Sequence, residues 1–332
     1  MSIISINENS ETPLYRQIVL SIEKAILNGN VKKGNKLPSI NSIRNGFSIS
    51  RDTVLLAYNE LKVRGIVVSI AGKGYYVKSE NVHIKQKIFL LFDELNVFKE
   101  DLYKSFLRNI GNDIEVDIYF HHFNFDVFSK LIYDSIGNYS QYIIMPANLS
   151  NTETIIDKLP EDRVIILDQI HPELFNYAAI YQNFEKDIYN ALEEEVMLIE
   201  KYDKFIFINS KLKQPPKMLS GFQKFCKDYD IDYGVVSTMD NKEVFNREIY
   251  LIPDDKNLIR VIKKMKEKNF KMVKNIGIIS YNETLLKEIV QDGITTISTD
   301  FKYMGKRLAQ MLSEKEKLRI ENPSEIILRN SI

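Results

Sequence analysis

The chain has 332 residues, 44% of them hydrophobic, so it is long enough for two or three domains with buried cores. Lysines and arginines number 45, as do aspartates and glutamates, yet residues 1–80 hold 11 basic against 6 acidic residues. A basic N-terminal segment on a neutral chain fits a small phosphate-contacting module better than a protein that binds its partners non-specifically.

Two amphipathic helices are predicted in the first 50 residues. Thr12 is the expected N-cap of the first helix, and Pro13 is its expected first residue. At that position the helix does not need the amide hydrogen that proline lacks. Gly29 ends this helix. Leu37-Pro38-Ser39 then opens a second helix that contains Ile43.

Residues 50–61 have the pattern of a DNA-recognition helix. Ser50 is a good N-cap, and apolar residues that recur at helical spacing predict one buried stripe. Arg51, Asp52 and Thr53 therefore project from the first turn, which is the part of such a helix that enters a major groove. Asp52 can accept from a cytosine amino group, but we favour a role in stabilising the helix dipole.

A two-stranded wing is predicted after this helix. The apolar segments 66–70 and 75–77 indicate two strands, and the four residues between them, which include Lys73 and Gly74, form a hairpin turn. The order is thus helix, helix, helix, wing, within a domain of residues 1–78.

These residues resemble the GntR family of bacterial regulators. The matching motifs are Pro13-Leu14-Tyr15-x-Gln17-Ile18, Leu37-Pro38-Ser39, Ser50-Arg51-x-Thr53-Val54 and Gly72-x-Gly74-Tyr75-x-Val77. The resemblance implies a winged helix-turn-helix domain that binds DNA and regulates transcription.

The second helix departs from the family, in which a Glu-Arg pair commonly follows Pro-Ser. Ile40 and Asn41 stand there instead, so contacts from this helix would come from Asn41 or Arg44, or be absent. The expected DNA-binding residues are Ser39, Asn41, Arg44, Ser50, Arg51, Asp52, Thr53, Lys73 and Gly74.

Residues 79–87 are polar and predict a linker. Beyond it, short apolar runs alternate with helical segments, which predicts an α/β domain of parallel sheets with helices on both faces. Nine strands exceed one small doubly wound unit, so residues 88–332 are predicted to form two lobes. The predicted strands are 88–92, 116–120, 142–145, 164–167, 205–208, 231–236, 249–252, 276–280 and 294–297.

The expected lobes are residues 88–180 with 284–312, and residues 181–283 with 324–331. The chain would cross between them near Asn183, near Asn282 and after Ser313.

Polar residues interrupt several of these strands at their ends, where an open α/β sheet places its ligand. Asp168, Asp254 and Asn282 are the clearest cases. Carboxylates and amides suit sugar hydroxyls, which both donate and accept, and an aromatic such as Tyr281 can cover the apolar face of a sugar. Each of these residues could equally be a helix N-cap or part of a solvated loop.

Residues 88–332 also resemble the effector domain of LacI-type regulators, a relative of periplasmic sugar-binding proteins. The most specific stretch is Asn275 to Glu283, which is similar to the family's strand followed by Gly-Tyr/Phe-Asp-Asp, and Thr295-Thr296-Ile297 follows at the family's distance. The resemblance implies a two-lobed, Rossmann-like effector and dimerisation domain.

The departures from this family bear on the ligand. Sugar-binding members usually have an arginine three residues before a Gly-Phe pair; here that position is Met218, with Lys217 beside it. The expected ligand site therefore has fewer charged groups than the sites of family members, which indicates a neutral sugar rather than a phosphosugar. Fusions of this kind respond to monosaccharides such as arabinose or fucose, and nothing in the residues selects one. The expected effector-binding residues are Asp168, Lys217, Asp254, Tyr281 and Asn282.

An enzyme is the competing class. The sequence has no Gly-rich phosphate loop, HExxH or Gly-x-Ser-x-Gly motif, and its histidines lack a metal-ligand pattern. Cys226 is the only cysteine, so no thiolate metal cage can form within the chain, and we expect no metal or cofactor. An organic-acid effector domain and an enzyme-like C-terminal domain remain alternatives.

The expected protein is a cytoplasmic repressor of a sugar-utilisation operon. The N-terminus lacks the pattern of a signal peptide, and no run of 18 apolar residues occurs, so no membrane partner is expected. A homodimer would place one winged helix on each half of a palindromic double-stranded operator.

Overall fold

The structure is a computed structural model that describes residues 3–7, 10–210, 214–314 and 317–332. The chain divides into two compact units by its internal contacts. Unit 1 comprises Met1–Phe92, Ile110–Ile144 and Asn151–Ile165, and unit 2 comprises Asp93–Asn109, Met145–Ser150 and Ile166–Ile332. Within the described ranges, no helix is both long enough and apolar enough to cross a membrane.

Unit 1 begins with a winged helix. Its elements are α1 (Leu14–Leu27), α2 (Ile40–Phe47), α3 (Arg51–Val63), β1 (Val67–Ile70) and β2 (Gly74–Val77). The predicted N-cap Thr12 is wrong: Pro13 is the N-cap rather than the first helical residue, and its side chain has no polar atom that could accept a capping hydrogen bond. The cap at Ser50 is confirmed, because its hydroxyl accepts from the amide of Thr53 at 3.1 Å.

Tyr58 joins the recognition helix to the wing. Its ring is fully buried and stacks on Tyr75 of β2 with centroids 4.2 Å apart. Its hydroxyl donates to the carbonyl of Pro38, just before α2, at 2.5 Å. One side chain thus links the three parts of the motif, and burial raises its pKa, so the hydroxyl keeps the proton that it donates.

The remaining helices and strands alternate along the chain. In order they are β3 (Gln86–Phe92), α4 (Val97–Asn109), β4 (Ile114–Phe120), α5 (Phe125–Ser135), β5 (Gln141–Ile144), α6 (Glu153–Ile156), β6 (Val164–Asp168), β7 (Ala178–Tyr181), α7 (Phe184–Glu194), α8 (Val196–Ile199), β8 (Lys204–Ile208), α9 (Pro216–Asp228), β9 (Tyr233–Val236), β10 (Glu248–Ile252), α10 (Asp255–Glu267), β11 (Ile276–Tyr281), α11 (Leu285–Ile289), β12 (Thr295–Thr299), α12 (Phe301–Glu314), β13 (Arg319–Glu321) and β14 (Ser324–Ile327). Short 3-10 turns lie at Glu161–Arg163, Pro172–Leu174 and Val290–Asp292.

These strands form two six-stranded sheets. The first sheet has the order β13-β7-β6-β5-β3-β4, and the second sheet has the order β14-β12-β11-β10-β8-β9. Within unit 1, β3 is parallel to β4 and to β5, with Ile88 opposite Val116 and Gln141. Within unit 2, β8, β9, β10, β11 and β12 form parallel pairs, and β14 is antiparallel to β12. The predicted α/β class and all nine predicted strands are confirmed.

The division of the strands between the sheets differs from the prediction at β12. This strand is parallel to β11, with Thr295 opposite Ile279, and so belongs to the second sheet. The expected crossover near Asn282 is therefore wrong, because the chain stays in the second sheet until Thr299. Strands β7 and β13 were not predicted, since β7 begins with two alanines, which are weak strand formers, and β13 has only three residues.

Helix α12 packs closely on α4. A methyl group added at Gly305 would lie 2.3 Å from the carbonyl oxygen of Leu102. Beside it, the rings of Phe98 and Phe301 stack with centroids 4.9 Å apart, and the hydroxyl of Ser105 donates to a carbonyl of α12 at 2.7 Å. The two helices can approach this closely only because position 305 has no side chain.

Gly305→Ala should lower the free energy of unfolding by about 1–3 kcal/mol, because the added methyl must push the backbone of α4 away. Gly46→Ala, in α2, is the matched control: no atom lies within 4 Å of its added methyl, so alanine should be neutral or stabilising there. Urea unfolding followed by circular dichroism measures both. Equal stability of the two variants would contradict the close contact.

Candidate DNA-binding and effector sites

The first turn of α3 presents exposed polar side chains. Arg51 and Asp52 are exposed, whereas Thr53 is half-buried. The hydroxyls of Ser50 and Thr53 lie 2.8 Å apart, so the Thr53 hydroxyl is engaged with the helix cap. Arg51 is therefore the residue of this turn best suited to reach a guanine edge or a phosphate.

The second helix and the wing place the other predicted DNA contacts. Ser39 caps α2 by accepting from the amide of Ser42 at 3.1 Å, and Asn41 and Arg44 are exposed on that helix. Lys73 is exposed at the wing tip, and Gly74 begins β2 with a φ of +108°, a conformation that favours glycine. All nine positions lie in the winged helix; that they contact DNA stays a prediction.

Three buried polar side chains meet at strand ends in unit 2. Asp168 ends β6, Gln182 follows β7, and Tyr281 ends β11. The Gln182 amide nitrogen donates to Oδ1 of Asp168 at 2.5 Å, and the Tyr281 hydroxyl donates to Oε1 of Gln182 at 3.0 Å. The amide of Gln182 thus links a strand end of the first sheet with one of the second. We call these three residues the strand-end network.

A buried ion pair adds charge near this network. Asp93, directly after β3, pairs with Lys99 of α4, and both side chains are buried. Burial raises the pKa of Asp168, opposed by the charge of Lys99 and reinforced by that of Asp93. Two carboxyls therefore share one ammonium, and the network has no surplus positive charge.

The structure gives Asp254 and Lys217 other surroundings. Asp254 caps α10, where its two oxygens accept from the amide and from the side chain of Asn257, both at 2.9 Å. Lys217 is exposed on the first turn of α9, next to the buried Met218. Neither makes a described hydrogen bond to the strand-end network, so their predicted contact with an effector has no support from geometry.

Asn282 offers an acceptor that no described group uses. Its backbone is in the left-handed region, with a φ of +61°, and its amide donates to Ile297 at 2.8 Å. The ammonium of Lys287 donates to its carbonyl at 2.8 Å. Its Oδ1 atom is buried and has no hydrogen-bond partner within the described residues. Such an atom could accept from a ligand hydroxyl.

Hydrogen bonds join the segments at which the chain changes sheets. Asn183, which begins the passage from β7 into α7, donates to Glu321 of β13 at 3.0 Å. Asn322 donates to Thr299 at 2.7 Å and to the carbonyl of Asp300 at 3.0 Å. The crossovers therefore lie side by side at 182–183, 299–300 and 322–323. The first and third agree with the expected positions near Asn183 and after Ser313, whereas the second lies at 299–300 and not near Asn282.

Sequence reasoning missed Asp93, Lys99 and Gln182. Asp93 follows the predicted strand 88–92, so the rule that found Asp168 could have found it too. Gln182 stands where the resembling family has an aspartate, and that position was the available signal. Lys99 lies on a helix with no motif around it. Within the described residues, no group of three histidine, cysteine or acidic side chains could hold a metal ion.

Comparison with known proteins bears on the two parts of the chain separately. The model of the gntR family of bacterial regulatory proteins matches residues 14–77. Over 99 residues, the chain is 35% identical to the HTH-type transcriptional repressor YtrA of Bacillus subtilis (strain 168), a match that covers 30% of this chain and 72% of YtrA.

Solved structures resemble the larger part of the fold. The trehalose repressor from Escherichia coli has a TM-score of 0.60 at 12% identity, covering 73% of this chain and 99% of that one. The dimeric Lac repressor with an 11-residue C-terminal deletion has a TM-score of 0.60 at 13% identity, covering 74% and 98%. At these identities the likeness establishes the fold, which is that of LacI-type and periplasmic-binding-protein-like regulators.

Asp187, on the first turn of α7, should make stability depend on pH. Burial and the nearby charge of Glu321 raise its pKa to about 7, whereas an unfolded aspartate has a pKa of about 3.9. Between these values the folded chain holds a proton that the unfolded chain has released. The stabilising protonated state is therefore lost as pH rises through 7.

Asp187→Asn should remove this loss, since the amide does not ionise. The variant should match the parent near pH 4 and exceed its free energy of unfolding by about 1–3 kcal/mol at pH 8, the usual cost of an unsatisfied buried group. Urea unfolding from pH 4 to 8 measures this, with Glu185→Gln on the same helix as the control. Parallel pH profiles for parent and Asp187→Asn would contradict the assignment.

Proposed function

The chain belongs to the GntR family of bacterial regulatory proteins, and we propose that it is a sequence-specific repressor whose DNA binding is controlled by a small neutral sugar. It is a DNA-binding transcriptional regulator of the GntR type with a LacI-like second part. The observation that carries the effector proposal is the strand-end network, a buried set of polar side chains at the carboxyl ends of strands from both sheets.

The chemistry of the network and of Asn282, the residue after Tyr281, favours a neutral ligand. Gln182 and Tyr281 supply an amide and a hydroxyl, and Asn282, outside the network, has an unused acceptor. The ammonium of Lys99 is already paired with Asp93, so an organic acid or a phosphosugar would meet carboxyls without a free cation among these groups. A polyol can both donate to the carboxyls and accept from the amide.

The DNA-binding form that we propose is a homodimer on a palindromic operator. One winged helix reads one half-site, so reading two inverted half-sites requires two copies related by a two-fold axis. The Lac repressor of similar fold is dimeric, and the trehalose repressor is named for a sugar. Both proteins support the proposal by analogy of fold.

The exposed Arg51 should read a base. Selection of bound sequences from a random DNA pool yields the operator, and fluorescence anisotropy on that operator then compares the parent with Arg51→Ala. The variant should lose about 1–3 kcal/mol of binding free energy, because a bidentate contact to guanine is removed. Asp52→Ala serves as the control and should change affinity less.

Binding to random DNA distinguishes a contact with a base from a contact with a phosphate. A base contact costs affinity on the selected operator but little on random DNA. An equal loss on both would show that Arg51 contacts only phosphate.

The buried Asp168 should contact the effector. A thermal-shift series with arabinose, fucose and other monosaccharides, set against malate, citrate and glucose 6-phosphate, should give stabilisation only with a neutral sugar. Asp168→Asn should then weaken binding of that sugar by about 1–3 kcal/mol, the cost of leaving a buried hydrogen-bonding group without its partner.

Asp254→Asn is the matched control for this experiment. Asparagine keeps the cap of α10, so an unchanged sugar response would leave Asp254 with the role of a cap. Stabilisation by malate or citrate alone would replace the sugar proposal with an organic-acid effector.

A further inference from the structure

Arg64, which directly follows the recognition helix, is buried and holds four groups. Its guanidinium forms ion pairs with Glu23 of α1 at 2.5 Å and with Glu60 of α3 at 3.2 Å. It also donates to the carbonyls of Val82 at 2.9 Å and Ile84 at 2.8 Å. One cation thus ties two of the three helices of the winged helix, α1 and α3, to the segment that leads away from the wing.

That segment, residues 79–85, is the greater part of the predicted linker, and we call it the strap. Its residues Val82 and Ile84 are buried, and Val82 belongs to the apolar core of the winged helix. The amides of Lys78 and Ser79 donate to Ile66 at 2.8 and 3.2 Å. At the other end, the amide of Lys85 donates to Asp113 at 2.8 Å. The strap is therefore held at both ends and along its length.

A second contact connects the end of the recognition helix directly with the sheet. Gly65 has a φ of +73°, and a methyl group added there would lie 2.9 Å from Cδ of Lys87 in β3. The Lys87 side chain is buried, and its ammonium pairs with Glu115 at 2.5 Å and with Asp117 at 3.0 Å on β4. The stem of Lys87 thus fills the space between the helix end and the two strands.

We propose that Arg64 and Lys87 lock the recognition helix to strands β3 and β4, so that the winged helix moves with these two strands as one body. The alternative is a flexible tether: a free strap of seven residues would let its ends vary over about 15 Å. A locked winged helix passes any movement of these strands to the DNA half-site undiminished, whereas a tethered one does not. Arg64 and Lys87 are positioning residues, because they act on the helix that carries Arg51.

Spin-label distance measurements test the lock without DNA or sugar, so the result is independent of the proposed function. Labels are placed on cysteines introduced at the exposed positions Asn59 of α3 and Asp134 of α5, in a Cys226→Ala background, and labelled chain is diluted with unlabelled chain. The parent should give one narrow distance distribution. Arg64→Leu should broaden it, toward the width on the order of 15 Å that a wholly free strap would give.

Arg16→Leu is the matched control. Arg16 pairs with the same Glu60, but it is half-buried on α1 and has no described hydrogen bond or ion pair with the strap, so its loss should leave the distribution narrow. Circular dichroism establishes that each variant retains its helices.

Lys87→Met keeps the result decisive if Arg64→Leu fails to fold. It retains the apolar stem but removes the ammonium that anchors the stem to β4, and it too should broaden the distribution. A broad distribution in the parent overturns the proposal. A narrow one in folded Lys87→Met, or in folded Arg64→Leu, overturns it as well.

Discussion

The amide of Gln182 is the group on which the arrangement of unit 2 depends most. Strands that end together at the edge of a parallel sheet leave polar groups there, and buried polar groups must find partners. Gln182 satisfies Asp168 with its donor and Tyr281 with its acceptor, and so joins strand ends of two different sheets. Because Gln182 directly precedes the crossover at Asn183, a ligand that competes for this amide acts on the residue where the chain changes sheets.

The energies involved are small enough for a ligand to alter. A neutral hydrogen bond contributes about 0.5–1.5 kcal/mol net, and the coupling between an effector and a distant site is usually about 1–3 kcal/mol. At the crossovers, the bond from Asn322 to Thr299 is of this neutral kind. The bond from Asn183 to the carboxylate of Glu321 is charge-assisted and contributes about 1.5–3 kcal/mol. Exchange of one or two of these bonds for bonds to a ligand would therefore involve an energy comparable with the coupling that a regulator needs.

The winged helix is organised around two buried side chains with different roles. Tyr58 links α3 to the wing and to the start of α2 by stacking and by one hydrogen bond. Arg64 links α3 to α1 and to the strap through charge, and its buried guanidinium has both carboxylate and carbonyl partners. A buried cation that lost these partners would cost several kcal/mol, so the contacts at Arg64 constrain geometry strongly.

Local sequence alone determined the winged helix, the α/β class and nine of the strands, because caps, turns and apolar periods act over a few residues. Ser50 caps α3 as its residue type indicates, and Asp168 ends its strand where the apolar run stops. Tertiary structure decided the rest. The sheet to which β12 belongs depends on its pairing with β11, and β7 and β13 are strands only through their neighbours. From the sequence alone, Asp254 fits either a ligand contact or a helix cap. The structure shows a cap, because Asn257 donates to both of its oxygens. The sequence of the strap is polar and predicts a linker. The structure shows that Arg64, which follows α3, donates to carbonyls of the strap. Such long-range pairing has no signature in local sequence.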